Sequence, residues 1–435
     1  MNVTVSSGGL SGRVAIPASK SHTIRALVIA ALAEGVSRIE APLDSADTRA
    51  CMSVLGGLGV RIAETREGAD GRTGRLAEVS VAGRAGSFSR PGGELDCENS
   101  GTTFYVMLSV AALADFPVLL TGDAQLRRRS AGPLLDALEE LGVTIERHGN
   151  GGCPPVTVTG PLRGGKATVA CPTSQYLTSL LLAAPLAPID SELTVPILNE
   201  RPYVEMTLGW LDSQGVTCRH TDWSGFHVTG GRHYRAFERR IPGDFSAATF
   251  FLAAAAVTGS TLYLDGLDMA DSQGDKEVVS ILERLGCSVS SDAGSVRIAG
   301  PAGGVLSGGT LDLNSIPDAL PALAVVGTGC AEPLRLTNVP QAREKETDRI
   351  AVMARELAGL GGRVEELPDG LVVYPSALTG GRVSSHGDHR VAMALAVAAL
   401  RADSPVTISD AEVVGITYPG FFDALRDCGA NLVME

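Results

Sequence analysis

The hydrophobic pattern along the chain predicts the same set of elements six times over. Each copy has an Ala/Leu-rich helix, a strand, a loop with an acidic residue, and a second helix that ends at a glycine. The junctions between first helix and strand are Ala30–Pro42, Ala111–Asp123, Ala183–Pro196, Ala253–Leu267, Ala322–Pro340 and Ala394–Asp410. The closing glycines are Gly59, Gly142, Gly215, Gly286, Gly361 and Gly429, a spacing of about 70–80 residues. Such long units favour a closed α/β assembly over an open solenoid.

Composition and charge narrow the possible ligands. The 435 residues carry a formal net charge of -13, which disfavours a polyanionic partner such as nucleic acid that is held by bulk charge. Aromatic residues are only 4% of the chain, which disfavours base stacking on single strands. Any anionic ligand must therefore be held by a local concentration of basic side chains.

Cysteine placement and the amino terminus favour a cytoplasmic protein. The eight cysteines are scattered without a Cys-x-x-Cys spacing, which is typical of reduced thiols and not of a disulfide frame or zinc site. The first residues lack the pattern of a signal peptide, and apolar runs such as Phe250–Val257 are too short to span a bilayer. No membrane association and no bound metal are expected.

Three predicted helices begin with charged residues. Their entrances are Pro17–Arg25, Arg343–Arg349 and Asp388–Arg390, and each runs into an apolar or amphipathic helix. Basic side chains at a helix amino terminus oppose the helix dipole unless an anion lies there. A single charge run is usually a solvated helix face, but three of the same kind together indicate an anionic ligand.

Three further helix entrances offer polar groups suited to a site. Asn99–Thr103 and Cys171–Tyr176 present amides and hydroxyls that would either cap a helix or cradle an anion. Ile316–Ala319 places the carboxylate of Asp318 at a helix mouth, where a general base could act.

These motifs, in this order, resemble the 5-enolpyruvylshikimate-3-phosphate (EPSP) synthases of the enolpyruvyl transferase family over essentially the whole chain. The matching segments are Ser19-Lys20-Ser21 with Arg25, Leu43-Asp44-Ser45 with Asp47, Asn99–Thr102, Arg129, Ser174-Gln175, Pro202-Tyr203, Gly243-Asp244, Gln273–Asp275, Ile316–Asp318, Lys345–Arg349 and Asp388–Arg390. The resemblance implies an inside-out α/β barrel fold of two domains, each with three βαβαββ units. It places residues 1–20 with 241–435 in one domain and residues 21–240 in the other, with the active site in the cleft between them.

The resemblance also implies an activity and a set of site residues. The carboxyvinyl group of phosphoenolpyruvate would be transferred to the 5-hydroxyl of shikimate 3-phosphate, releasing phosphate. The residues implied to bind the shikimate substrate are Ser21, Arg25, Thr173, Ser174, Gln175, Tyr203, Asp318 and Lys345, with Thr173 and Ser174 on its phosphate. Those implied to bind phosphoenolpyruvate are Lys20, Gly101, Arg129, Gln175, Arg349 and Arg390. The catalytic residues would be Lys20, Asp318, Lys345 and Glu346, in a monomer that takes small anionic substrates, needs no cofactor and closes its domains on them.

Five positions depart from the family pattern. Ile416 stands where a lysine contacts phosphoenolpyruvate, and Glu200 stands where a serine helps to hold the 3-phosphate. Tyr105 replaces an arginine, Gln341 an asparagine and Ser130 a proline. A carboxylate at position 200 should repel a phosphate unless a cation intervenes, and the neighbouring Arg201 is the candidate for that cation.

The departures leave three functional interpretations open. The first is an authentic carboxyvinyltransferase in which Arg127 or Arg128 compensates for the losses. The second is a paralogue that acts on a shikimate-like acid without phosphoenolpyruvate, such as a lyase that uses Asp318, Lys345 and Glu346. The third is a binding protein without catalysis, which the retained acid and base residues disfavour. A UDP-N-acetylglucosamine enolpyruvyl transferase is also disfavoured, because the segment 345–349 and the pair 174–175 match the shikimate branch.

Overall fold

The computed structural model describes residues 1–68 and 74–435, which divide into two compact units. The first unit comprises Met1–Ser19 together with Pro242–Glu435, and the second comprises Lys20–Ile241. The chain therefore starts in the first unit, passes through the whole of the second, and returns to the first. Over the described residues, no helix is both long enough and apolar enough to cross a membrane.

The described residues form mixed α/β structure throughout. The strands are β1 (Val3–Val5), β2 (Ser11–Ala15), β3 (Ala33–Glu34), β4 (Val36–Glu40), β5 (Arg61–Glu67), β6 (Arg75–Ala82), β7 (Leu95–Asp96), β8 (Val118–Thr121), β9 (Thr144–Arg147), β10 (Val156–Thr159), β11 (Gly165–Thr168), β12 (Ser191–Thr194), β13 (Cys218–Thr221), β14 (Gly225–Val228), β15 (Tyr234–Arg235), β16 (Glu238–Arg240), β17 (Thr261–Asp265), β18 (Ser288–Asp292), β19 (Ser295–Ala299), β20 (Gly309–Asp312), β21 (Leu334–Thr337), β22 (Arg363–Leu367), β23 (Gly370–Tyr374), β24 (Gly381–Ser384), β25 (Val406–Ser409) and β26 (Leu432–Met434). The helices are α1 (Lys20–Leu32), α2 (Ala46–Gly57), α3 (Gly101–Ala111), α4 (Gly132–Glu140), α5 (Ser174–Ala183), α6 (Arg201–Ser213), α7 (Phe245–Thr258), α8 (Glu277–Arg284), α9 (Leu320–Thr328), α10 (Arg349–Gly359), α11 (His389–Ala399) and α12 (Phe421–Asp427).

Over the described part of the chain, each unit has three four-stranded sheets with one shared plan, and the second unit also has the two-stranded sheet β15-β3. An outer strand pairs in parallel with its neighbour, and the two remaining strands are antiparallel. In the first unit the strand orders are β2-β17-β19-β18, β20-β21-β23-β22 and β24-β25-β1-β26. In the second they are β16-β4-β6-β5, β7-β8-β10-β9 and β11-β12-β14-β13. This arrangement confirms the six α/β units that the hydrophobic pattern predicts.

The first helix of each copy forms the core of its unit. In α7, for example, every residue from Phe245 to Val257 is buried, which is the pattern of a helix that is apolar on all sides. In the first unit α7, α9 and α11 all pack against one another, and in the second α3 packs against α5. The buried helices hold the sheets in place, so the loops at their amino ends are fixed by a rigid core.

The six closing glycines end the second helix of every copy in the same way. All six have positive φ, between 69° at Gly215 and 114° at Gly286, a region that strongly favours glycine. At α2, the amide of Gly59 donates to the Gly56 carbonyl and that of Val60 to the Leu55 carbonyl, which is the Schellman arrangement. The same pair of bonds recurs at the ends of α4, α6, α8, α10 and α12. The sequence period therefore arises from a repeated helix stop.

Candidate active site

In the first unit, three helix starts bring charged side chains together. Asp318 lies in the short 3₁₀ helix Pro317–Ala319 that leads into α9, Arg349 is the first residue of α10, and Asp388 is the N-cap of α11. Since α9, α10 and α11 all contact one another, residues far apart in sequence meet at their amino ends.

Arg349 is the centre of this cluster. Its Nε donates to Asp388 Oδ2 at 2.8 Å, its Nη1 to Asp318 Oδ1 at 2.7 Å, and its Nη2 to Glu346 Oε2 at 2.6 Å. The Arg349 side chain is only 1% exposed. Arg390 adds a second guanidinium, whose Nη2 lies 2.8 Å from Asp318 Oδ2. Both oxygens of the Asp318 carboxylate are thus oriented by arginines.

Electrostatics keep Arg349 charged in spite of its burial. Burial lowers the pKa of this guanidinium, but the charges of Asp388, Glu346 and Asp318 raise it by more, so that its pKa lies above the ordinary value. Each of the three guanidinium nitrogens already serves a carboxylate. In this structure Arg349 therefore positions acidic groups, and its expected binding of phosphoenolpyruvate stays a prediction.

Asp388 belongs to the matching segment Asp388–Arg390 but is absent from the expected site residues. Its place at a helix start is typical of an N-cap. It does cap α11, because its Oδ1 accepts the amide of Arg390 at 2.9 Å, while its Oδ2 also accepts the hydroxyl of Thr347 at 3.1 Å. The Asp388 side chain is fully buried. It fixes Arg349 and the start of Arg390's helix at once. The sequence signal was the acidic residue that precedes His389-Arg390.

Lys345 and two of the departures in the first unit lie in or directly after 3₁₀ helices. Lys345 is half-buried and directly follows the 3₁₀ helix Pro340–Glu344. In that helix Gln341 donates its Nε2 to the Asn314 carbonyl at 3.1 Å, while its buried Oε1 has no hydrogen-bond partner among the described residues. Ile416 is half-buried at the end of another 3₁₀ helix, Ala411–Ile416.

In the second unit, Lys20 and Arg25 project from the start of α1. Lys20 Nζ pairs with Asp47 Oδ2 of α2 at 3.0 Å, and both side chains are largely buried. Asp47 belongs to the matching motifs but is absent from the expected site residues. Its carboxylate fixes the position of the Lys20 ammonium, which makes it a positioning residue for that group.

Arg25 is buried and has no carboxylate partner among the residues that the structure describes. Its four hydrogen bonds go to uncharged oxygens: the hydroxyls of Thr207 and Thr178 and the carbonyls of Ser21 and Tyr203. Burial lowers the pKa of Arg25 to about 10. A buried guanidinium with only neutral acceptors would gain from an incoming carboxylate, which is the ligand group that the resemblance assigns to it.

Gly101, Arg129 and Gln175 form a second group in this unit. A Cβ at Gly101, the first residue of α3, would lie 2.8 Å from Arg129 Nη1 and 3.8 Å from Gln175 Oε1. Arg129 Nη2 also donates to Asn99 Oδ1 at 3.4 Å. The Gln175 Oε1 is buried and has no hydrogen-bond partner among the described residues. The three expected phosphoenolpyruvate residues of α3, α5 and the loop after β8 are therefore neighbours.

Two of the departures from the family pattern contact each other beside Arg129. The hydroxyls of Tyr105 and Tyr176 both donate to the carbonyl of Ser130, at 3.2 and 2.5 Å, and the two rings meet edge to face. By contrast Arg127 and Arg128 are exposed and donate to carbonyls of their own loop, those of Gly122 and Ala124. Those loop contacts give no support to the expected compensation by these two arginines.

The third departure, Glu200, is hydrogen-bonded to Thr173 and Ser174, the two residues expected to hold a phosphate. Its Oε2 accepts hydrogen bonds from Ser174 and Thr173 at the start of α5. The adjacent Arg201 is exposed. The expectation that Arg201 neutralises this carboxylate stays a prediction.

The comparisons with known proteins agree with the geometry. The family model for EPSP synthase, also described as 3-phosphoshikimate 1-carboxyvinyltransferase, matches residues 5–425. A 3-phosphoshikimate 1-carboxyvinyltransferase of Acetivibrio thermocellus is 46% identical over 422 residues, 97% of each chain, and one of Ruminiclostridium cellulolyticum is 42% identical over 432 residues, 99% of each. The solved EPSP synthase of Acinetobacter baumannii has a TM-score of 0.80 at 25% identity and covers 100% of both chains.

These matches define a carboxyvinyltransferase of the enolpyruvyl transferase class. The chain belongs to the EPSP synthase family. The expected family and the expected two-domain inside-out α/β fold class are confirmed. The solved enolpyruvyl transferase NikO of Streptomyces tendae, with a TM-score of 0.77 at 20% identity, shares the fold.

Proposed function

We propose that this protein transfers the carboxyvinyl group of phosphoenolpyruvate to the 5-hydroxyl of shikimate 3-phosphate and releases phosphate. The observation that carries the proposal is the family match over residues 5–425, together with relatives of that activity at 46% and 42% identity. No observation favours the alternative of an elimination without phosphoenolpyruvate. The substrates are small anions, and we expect a cytoplasmic monomer that binds no nucleic acid.

The chemistry needs one group to take a proton and another to give one. The hydroxyl oxygen forms a bond to C2 of phosphoenolpyruvate as its proton leaves, and the C3 methylene gains a proton; a proton is then lost from the new methyl group as the C–O bond to phosphate breaks. We assign the hydroxyl proton to Asp318, whose two oxygens are aligned by Arg349 and Arg390. Glu346 and Lys345 are assigned to the carbon proton.

The second unit supplies the groups that recognise the substrates in this proposal. Arg25 and Ser21, with Tyr203, take the ring carboxylate and hydroxyls, and Thr173 and Ser174 take the phosphate. Lys20, Gly101, Arg129 and Gln175 take phosphoenolpyruvate, to which Arg349 and Arg390 of the first unit also contribute. The burial of Arg25 and its hydrogen bonds to neutral oxygens support its part in this assignment.

Phosphate release tests the function directly. The wild type should release phosphate when given both shikimate 3-phosphate and phosphoenolpyruvate, and neither substrate alone should suffice. Asp318→Asn should lower turnover by about a hundredfold or more, because the amide cannot accept the proton. The matched control is Asp292→Asn, an exposed residue of β18 in the same unit, which should leave turnover unchanged. A diene absorbance produced from shikimate alone, without phosphate release, would instead establish the lyase.

A further inference from the structure

In the second unit, one carboxylate oxygen collects three neutral donors from a single helix start. Oε2 of Glu200 accepts the Ser174 hydroxyl at 2.8 Å, the Ser174 amide at 3.0 Å and the Thr173 hydroxyl at 3.0 Å. Glu200 is only 2% exposed. Hydrogen bonds to a charged acceptor are shorter and stronger than neutral ones, and the dipole of α5 adds to their attraction. The start of α5 is therefore an anion cradle that already contains an anion.

The backbone directs Glu200 into this cradle. Leu198 and Cys171 form a parallel β-bridge, and the next residue, Asn199, donates its amide to the Cys171 carbonyl and its Nδ2 to the Pro172 carbonyl, each at 3.1 Å. Glu200 itself has φ of 58° and ψ of 41°, a left-handed conformation that is uncommon for a residue with a side chain of this kind. The segment before α6 is thus held beside the segment before α5, with the carboxylate turned onto Ser174.

The cradle cannot serve two anions through the same donors. A serine hydroxyl, a threonine hydroxyl and a backbone amide each have one hydrogen to donate, and all three are directed at Glu200. A phosphate on Thr173 and Ser174 would also lie against the carboxylate, and like charges at this distance repel. Binding of a phosphate here and the observed position of Glu200 are therefore mutually exclusive.

We propose that Glu200 is an internal competitor for the phosphate of the substrate. Its carboxylate fills the phosphate subsite while the protein is empty, and shikimate 3-phosphate binds by displacing it. The inference rests on the proposed function, because that function assigns the phosphate to Thr173 and Ser174. Glu200 is a specificity-determining residue in this scheme: it lowers the affinity for the phosphorylated substrate and leaves the donors satisfied when no substrate is present.

Calorimetry on the full chain tests the proposal with two ligands, shikimate 3-phosphate and inorganic phosphate. Glu200→Ser removes the competing carboxylate, and both ligands should bind it at least about tenfold more tightly than the wild type, since a charge-assisted hydrogen bond is worth about that much. In Glu200→Asn the affinity for both ligands should also increase. Because asparagine tolerates a left-handed backbone conformation well, this variant replaces the serine variant if that one does not fold. The control is Glu205→Gln, an exposed carboxylate one turn further along α6, which should bind both ligands as the wild type does.

The outcomes separate this proposal from the proposed function. If the wild type releases phosphate from its two substrates but the Glu200 variants bind neither ligand more tightly than Glu205→Gln, the competitor role is refuted and the function stands. If the wild type has no turnover but the Glu200 variants gain affinity for inorganic phosphate, the competitor role stands and the function fails. A crystal structure of the shikimate 3-phosphate complex with Glu200 still bonded to Ser174 would also refute the proposal.

Discussion

Replacing Arg349 by methionine removes the guanidinium on which three carboxylates converge. Methionine fills much of the same space without a charge, so the change isolates the ionic contacts from the packing. The largest loss falls on Asp388, which is fully buried, whereas Glu346 and Asp318 keep 12% and 18% exposure. Asp318 also keeps its contact with Arg390. Most of the loss in stability should therefore come from the Asp388 carboxylate, which stays buried without its ion-pair partner.

The magnitude follows from that distribution. Breaking a buried ion pair by removing one partner costs about 3–5 kcal/mol. In Arg349→Met, Asp388 still accepts hydrogen bonds from the Thr347 hydroxyl and the Arg390 amide. The loss in free energy of unfolding should therefore lie near the lower end of that range, at about 3 kcal/mol. For a unit of this size, about 2–4 °C of melting temperature is lost per kcal/mol, so the expected decrease is about 6–12 °C. Arg349→Lys should fall between wild type and Arg349→Met, because one ammonium cannot reproduce the planar fork.

The assay is differential scanning calorimetry with a control from the same helix. Arg355→Met, also in α10, removes an exposed arginine that pairs with Glu356 at 3.1 Å, and it should cost no more than about 1 kcal/mol. Tryptophan fluorescence would report the wrong part of the chain, because Trp210 and Trp223 both lie in the second unit. Equal melting temperatures for Arg349→Met and Arg355→Met would refute the claim that the buried network stabilises the first unit.

Two further predictions concern phosphoenolpyruvate. Gly101→Ala would place a methyl group 2.8 Å from Arg129 Nη1. The KM for phosphoenolpyruvate should therefore rise about tenfold in steady-state kinetics, which corresponds to the loss of about one charge-assisted hydrogen bond. The control is Gly209→Ala on α6, where a methyl group would meet open space and should leave this KM unchanged. Ile416→Lys restores the family's cation, and calorimetry with shikimate 3-phosphate present should show phosphoenolpyruvate binding about ten- to a hundredfold more tightly. Unchanged affinity in the lysine variant would mean that position 416 does not reach the ligand.

The fold could be predicted from the sequence because its period is set locally. A helix that ends in a Schellman motif needs a residue with positive φ two positions after its last turn, and Gly59, Gly142 and Gly215 are readable signs of that need. The uniformly apolar composition of stretches such as Phe250–Val257 likewise marks a helix buried on all sides. Both signals lie within a few residues of the feature that they predict.

The contacts of the candidate site could not be predicted, because they join distant helix starts. Arg349 meets Asp318 and Asp388 only because α9, α10 and α11 pack together, and no local pattern states which carboxylate each nitrogen takes. Glu200 is the clearest case of a contact that the sequence pattern does not predict. Its charge led to an expectation of repulsion balanced by Arg201, whereas its carboxylate reaches the helix-start donors around Ser174.

The departures at positions 105 and 130 change meaning once their contacts are known. Considered singly, the tyrosine at position 105 lacks the guanidinium of the family's arginine, and the serine at position 130 lacks the rigid ring of the family's proline. Each change alone would be expected to weaken the order of the segment around Arg129. In the structure the Tyr105 hydroxyl donates to the Ser130 carbonyl, while the Ser130 hydroxyl donates to the Gly151 carbonyl and accepts the Gly132 amide. The residue after Arg129 is thus tied from both sides by hydrogen bonds. Restraint that proline would supply through its ring is supplied here by neighbouring side chains, so the two changes belong to one local solution that orders the Arg129 segment without an added charge.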